Sequence, residues 1–167
     1  MHLIRLLVIL TGLCVFSGCA HRPLPKETTT MQKVYEFPGL KKDDLFEKTK
    51  MWVAQTFVSA KSVIEYENKE AGIIIGNGNQ DFDSSVYRDN NINYNIKIEV
   101  KDAKIRVSYD NFTVRKYTKN ILSGQRFLQY EGSVNDKNDL EDIKDQLSEI
   151  SNLLSQYILG SSKSDNW

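Results

Sequence analysis

The chain has 167 residues, 40% of them hydrophobic, with 22 Lys plus Arg set against 22 Asp plus Glu. That balance argues against a polyanion-binding role carried by net charge, and the length suits one domain with a modest core. The only cysteines and histidines, Cys14, Cys19, His2 and His21, lie near the N-terminus, so the remainder is excluded from Ser-His-Asp and Cys-His nucleophilic catalysis, disulfides and the usual zinc ligand sets.

Met1 to Ala20 carries Arg5 near its start, a short apolar run from Leu6 to Phe16, then Ser17, Gly18 and Cys19. This predicts a lipoprotein signal over 1–18, with small residues before a Cys that the lipoprotein signal peptidase would expose. An apolar run of about ten residues is too short to cross a bilayer, which needs about 20. Cys19 is therefore the expected lipidation site, and the membrane the expected partner through that anchor. Removing Arg5 leaves the mature side chains near a charge of minus one. Residues 19–31, with Pro23, Pro25 and three threonines, read as an extended tether. No acidic cluster follows Cys19, which leans the expected location toward the periplasmic face of the outer membrane.

The domain is expected over 32–160. Lys33 to Phe37 reads as a strand ended by Pro38-Gly39. From about Lys42 to Ser59, the residues Leu45, Phe46, Thr49, Trp52, Val53, Phe57 and Ala60 recur at helical steps, with Lys48, Lys50 and Gln55 outward. Ser62 to Tyr66 and Ile73 to Ile75 predict a hairpin turning at Glu67–Gly72. Ile92, Tyr94, Ile96, Ile98 and Val100 alternate with Asn93, Asn95, Lys97 and Glu99, the pattern of a strand with one wet face. After a turn at Lys101–Lys104, Ile105, Val107 and Tyr109 continue the inward set; Phe112 and Val114 then change parity, which a β-bulge near Asp110-Asn111 would repair. Arg126 to Gly132 offers a further short strand. Asn138 with Glu141 has the form of a capping box opening a last helix, whose stripe is Leu140, Ile143, Leu147, Ile150, Leu154 and Tyr157 and whose stop is Gly160. Residues 161–167 read as a disordered tail.

The Trp52 helix, the phrase SAKSVIEYENKEAGIIIGNG from Ser59 to Gly78, and the strand pair INYNIKIEVKDAKIRVSYDNF resemble a bacterial lipoprotein domain of unknown function with a TBP-like fold. The resemblance covers roughly Lys33 to Phe112 with a matching C-terminal helix, and it implies a fold and a setting but no activity. Where the family commonly has Gly in the second hairpin, this chain has Ala103, which leaves the turn type there open. The expected architecture is α+β: a curved antiparallel sheet of about five strands in the order β-α-β-β-β-β-α, with both helices on one face and the other face polar and open.

Candidate sites are few. Asn77, Asn79, Asp81 and Asp83 place oxygens at alternate positions of an expected loop, as calcium loops do. Yet neither Asn77 nor Asn79 as first residue puts Gly and Glu where an EF-hand needs them, so a solvated turn is the plainer reading. Gly76 and Gly78 lack the Lys-Ser/Thr of a phosphate loop. Glu65, Asp81, Asp83 and Asp89 supply carboxylates of the kind glycosidases pair, as any acidic domain does by chance. Arg115, Lys116, Lys119 and Arg126 form a basic cluster able to touch anionic head groups. Nucleic acid is not an expected partner: the open face, Asn93, Asn95, Lys97, Glu99, Lys104 and Arg106, is of mixed sign. The expected function is a lipid-anchored envelope protein with a non-catalytic binding domain, no cofactor and no metal. The alternatives are a small-ligand or cation sensor built on the Asn77–Asp83 segment, and a carboxylate enzyme.

Overall fold

The computed structural model describes residues 24, 25, 28–57, 63–83, 85 and 87–164. The expected signal, Cys19, most of the tether and Ala60 lie outside the described residues. The elements are β1 (Met31–Glu36), α1 (Lys42–Thr56), β2 (Val63–Asn68), β3 (Ile73–Phe82), β4 (Asn90–Lys101), β5 (Lys104–Lys119), β6 (Arg126–Ser133) and α2 (Lys137–Ser164). All strands join one antiparallel sheet. From one edge it runs β2, β3, β4, β5, and the far edge of β5 is shared: β1 pairs with its first half and β6 with its second. Arg126 to Gly132 thus becomes a sixth strand.

The expected bulge lies where β1 gives way to β6. Asn93 faces Thr113 while Asn95 faces Asp110, so one residue of β4 opposes two of β5. Asn111 takes a positive φ of 56°, a conformation that Asn tolerates better than most residues. The inserted residue turns Phe112 and Val114 back onto the buried face, and β5 continues as one 16-residue strand. Leu24 enters at this junction, its N–H donating to the Val134 carbonyl, and packs against the core. The tether is therefore tied down before β1 begins.

The apolar alternation of β4 is buried as expected, from Ile92 to Val100, and so are Ile105, Val107 and Tyr109 of β5. Both helices cover this face. α1 buries Leu45, Phe46, Thr49, Trp52 and Val53, while Phe57 is half-buried and Thr56 exposed. Its N-cap residue, Lys41, makes no side-chain cap. The cap comes instead from the β4–β5 turn, where Asp102 Oδ1 accepts the Lys42 N–H at 2.8 Å, as a helix N-terminus favours. The same turn answers the question left by Ala103. This residue holds a left-handed φ of 59° although it is not Gly, and its backbone is fixed on both sides by bonds to Leu40 and Phe37.

α2 departs from expectation at both ends. Its cap is Asp136, whose carboxylate accepts the N–H groups of Asn138 and Asp139, because the helix starts one residue before Asn138. Gly160 does not stop it. The helix runs on to Ser164, so the expected tail begins as helix, and residues 165–167 lie outside the described residues. A single Gly in a helix costs only about 1 kcal/mol relative to Ala, which favourable neighbours offset. Leu140, Ile143, Leu147 and Leu154 are buried; Ile150 and Tyr157 are half-buried, and Ser151 and Ile158 take the deep positions instead. Ser151 Oγ lies 2.9 Å from the Tyr109 hydroxyl and donates to the Leu147 carbonyl, which satisfies two polar groups inside the core. α2 therefore lies on the domain's own sheet rather than in a coiled coil.

Tyr94 and Tyr109 meet edge to face with ring centroids 5.6 Å apart. Burial pushes the Tyr94 phenol up to about 12. It also raises that of Tyr109 against the opposing bond from Ser151. A raised folded-state value means that the native protein keeps a proton which the unfolded chain releases above about pH 10, so stability is complete below that pH and falls above it. For Tyr94 alone the loss is expected to reach about 2 kcal/mol at about pH 11.5. Urea midpoints should hold to about pH 9 and then fall, with a smaller fall in Tyr94→Phe.

Candidate functional site

The face turned away from the helices is built by the other parity of the strands. β3 contributes Asn77, Asn79 and Asp81, and β4 sets Asn95, Asn93 and Asn91 directly opposite them. These cross-strand pairs form a polar ladder. Asn79 Nδ2 donates to Asn91 and Asn93, and Asn91 Nδ2 donates to Asn79 at 2.8 Å and to Asp81 at 3.0 Å. Asn91 is only 8% exposed, so the ladder is held and not fluctuating in solvent. Further along β4, burial would raise the Glu99 carboxyl, but hydrogen bonds from Lys97 and Arg106 outweigh it and hold the group below the usual carboxylate range.

The ladder forms the floor of an open basin of about 400 Å³ whose wall is Asp89, Arg115, Tyr117 and Arg126. The charges of the wall are paired, while Asp81 on the floor is an exposed carboxylate that accepts from the Asn91 amide. Arg115 Nε donates to Glu131 at 2.7 Å across the β5–β6 pair. Asp89 forms an ion pair with Arg126 at 3.0 Å and lies 3.5 Å from Lys119. The Arg126 guanidinium also sits 4.1 Å from the centre of the Tyr117 ring, a favourable cation–π position. The basin is thus polar, preorganised and close to neutral.

A second cavity, an apolar cleft of about 300 Å³, lies where the end of α1 meets β2, β3 and β4, between Phe57, Ile64 and Ile96. Among the described residues it is lined by no titratable side chain.

The sequence-expected residues are distributed as follows. Asn77, Asn79 and Asp81 do not belong to a loop: β3 runs through them to Phe82. On a strand, alternate residues stand roughly 7 Å apart in a row, so their oxygens do not converge on one point as calcium ligands must. Asp83, with a φ of 43°, lies past the strand and pairs with Arg88 at 3.0 Å. Among the described residues no group of three or more His, Cys, Asp or Glu is placed to hold a metal ion. Glu65 accepts a close bond from Asn77. Gly78 lies under the Tyr94 ring, where an added Cβ would come within 2.2 Å of it. That is close ring packing, not a phosphate cradle. Of the basic cluster, Arg115 and Arg126 reach the basin, Lys119 stands behind Asp89, and Lys116 turns to the helix side to pair with Asp139. Sequence reasoning missed Asn91 and Tyr117. The run NNINYN carried the signal for Asn91, whereas the place of Tyr117 depends on a second register shift, between Lys116 and Tyr117.

A six-stranded antiparallel sheet with both helices on one face and a polar opposite face defines an α+β domain of the TBP-like class. Residues 32–115 match the family described as a domain of unknown function (DUF4468) with TBP-like fold, and the chain belongs to that family. Two crystal structures share the fold. A DUF4468 family protein from Bacteroides ovatus ATCC 8483 is 14% identical, with a TM-score of 0.60 over 83% of this chain and 91% of that one. A TBP-like protein from Parabacteroides distasonis ATCC 8503 is 11% identical, with a TM-score of 0.62 over 83% and 97%. No curated protein matches the chain.

Proposed function

We propose that the chain is a lipid-anchored cell-envelope protein, held at the outer membrane through Cys19 and facing the periplasm, whose domain is a non-catalytic binding module. The observation that carries the binding role is the Asn79–Asn91–Asn93 ladder: bonded amides, Asn91 buried and Asn79 and Asn93 half-buried, set along an otherwise solvated sheet face at the floor of a basin. Because the charges of the wall are internally paired, the ligand that suits it is polar and uncharged, with hydroxyl or amide groups to exchange for water. Two features support the absence of catalysis. Asp81 and Asp89 are each engaged, one by Asn91 and the other by Arg126, and among the described residues no acid or base lines the apolar cleft. The anchor rests on the apolar run, small residues and Cys at the N-terminus.

One experiment addresses both halves. The wild-type chain should fractionate with membranes and incorporate labelled palmitate, and Cys19→Ser should release it or leave an uncleaved precursor. Unchanged acylation in that variant would sink the anchor. With the released chain labelled for NMR, a neutral oligosaccharide, chitotetraose, should move the side-chain amide signals of Asn79, Asn91 and Asn93 more than the anionic tetragalacturonate does. Equal silence from both, or shifts confined to the apolar cleft, would remove the basin as the binding site.

A further inference from the structure

β5 and β6 extend as a paired arm from Thr113 and Ser133 at its root to Lys119 and Arg126 near its tip. The connecting loop is ordered. Asn120 Oδ1 accepts the N–H groups of Leu122 and Ser123, and the Gly124 and Asn120 amides close the turn through Asn120 and Gln125 carbonyls. This fixed loop presents apolar groups to solvent: Leu122 is 99% exposed and Ile121 57%. Phe127 and Leu128, on opposite faces of the adjoining strand, are also exposed, as is Tyr87, whose carbonyl accepts the Lys119 N–H beside the tip. Isolated exposed apolar residues are ordinary, but four gathered at the end of one strand pair with a fifth, Tyr87, beside them are not.

The charge distribution says what covers them. From Thr113 to Ser133 the arm has four cations, Arg115, Lys116, Lys119 and Arg126, against one carboxylate, Glu131, which lies toward its root and pairs with Arg115. The one carboxylate that pairs with the belt near the tip lies beneath it: the Asp89 side chain is 15% exposed, against 33% for Lys119 and 46% for Arg126. Arg88, 58% exposed, adds to the outer layer. An uncharged apolar tip, an aromatic beside it and a cationic belt behind it match the layering of a bilayer surface, with acyl chains innermost, an interfacial zone for Tyr, and anionic head groups outside.

The course of the chain agrees. Leu24 is bonded to Val134 at the arm's root, and the five residues from Cys19 to Leu24 span at most about 18 Å. A membrane reached by the anchor is therefore within reach of an arm about 26 Å long.

We propose that the β5–β6 arm is a membrane-contacting element that inserts Ile121 and Leu122 into an anionic lipid surface and sets the orientation of the domain on its anchor. The orienting role rests on the lipid-anchored reading; the affinity of the tip for lipid does not. The two are tested apart. In the full chain carrying Cys14→Ser and Cys19→Ser, Leu122→Cys provides the single thiol for an environment-sensitive fluorophore. Vesicles with roughly 30% phosphatidylglycerol should blue-shift its emission and allow quenching by bromine-bearing acyl chains, and pure phosphatidylcholine should do so less. The same label at Met51→Cys should stay in water. The pair Ile121→Ser and Leu122→Ser should lower vesicle partitioning by about tenfold or more while leaving the urea midpoint unchanged. An unshifted label, equal partitioning of the double variant, or a probe buried through self-association without lipid would overturn the proposal, the last by making a second copy the occupant. Failure of Cys19 acylation with a positive vesicle result would remove the anchor and leave the lipid-binding tip standing.

Discussion

Replacing Trp52 with Ala is expected to cost about 3 to 5 kcal/mol, at least about a fifth of the roughly 5 to 15 kcal/mol that holds a domain together. The ring is 4% exposed and meets Phe57 edge to face, with centroids 5.6 Å apart. Truncation therefore loses the transfer free energy of a large apolar side chain and a paired aromatic contact, and opens a cavity between α1 and the sheet. The neighbourhood cannot readily collapse into that space, because Phe46, Thr49 and Val53 on the same face are buried against the sheet and fixed by the helix. Gln55→Ala, on the exposed face of α1, should change stability by no more than about half a kcal/mol. Urea denaturation of the Cys19→Ser chain compares the two. A midpoint unmoved by Trp52→Ala would overturn the core assignment and recast α1 as an interaction surface.

Much of this core is legible in the sequence because its residues repeat with the periods of their elements. The alternation from Ile92 to Val100 and the helical stripe through Trp52 each point to one face, and the change of parity between Tyr109 and Phe112 marks the bulge. What is not legible depends on partners distant in sequence. The α1 cap is supplied by Asp102, sixty residues away, and no local pattern announces it. The Asn77–Asp83 segment reads as a loop because its residues are poor strand formers. It is a strand because β4 supplies Asn91, Asn93 and Asn95 opposite, turning low propensity into cross-strand hydrogen bonds. Gly160 reads as a stop because Gly is a weak helix former, yet that penalty is small, and buried Leu154 and Ile158 hold the surrounding turns.

The second large effect is expected at Gly72, which closes the β2–β3 hairpin and so positions the strand that carries Asn77, Asn79 and Asp81. Its φ is +66°, and a Cβ there would lie 2.3 Å from the Val100 carbonyl oxygen and 3.3 Å from its carbon. The obstacle is backbone, not the yielding end of a side chain. The two residues are also locked together, since Val100 N–H donates to the Gly72 carbonyl at 2.7 Å. Gly72→Ala must therefore add left-handed strain to a displacement of β4, together about 2 to 5 kcal/mol. Gly39 supplies the control, with a φ of +87° but nothing within 4 Å of its would-be Cβ. Gly39→Ala should show the strain alone, about 1 to 2 kcal/mol, and Ala103 shows that the fold tolerates an Ala at positive φ where space allows. The difference between the two urea midpoints isolates the collision with β4. Because β4 bears the other half of the amide ladder, Gly72→Ala should also shift the Asn91 and Asn93 side-chain resonances, which Gly39→Ala should leave in place. Equal destabilisation by the two substitutions, with those resonances unmoved in both, would mean that β3 takes its register from the strand pairing alone and that the tight approach at Gly72 has no part in shaping the basin.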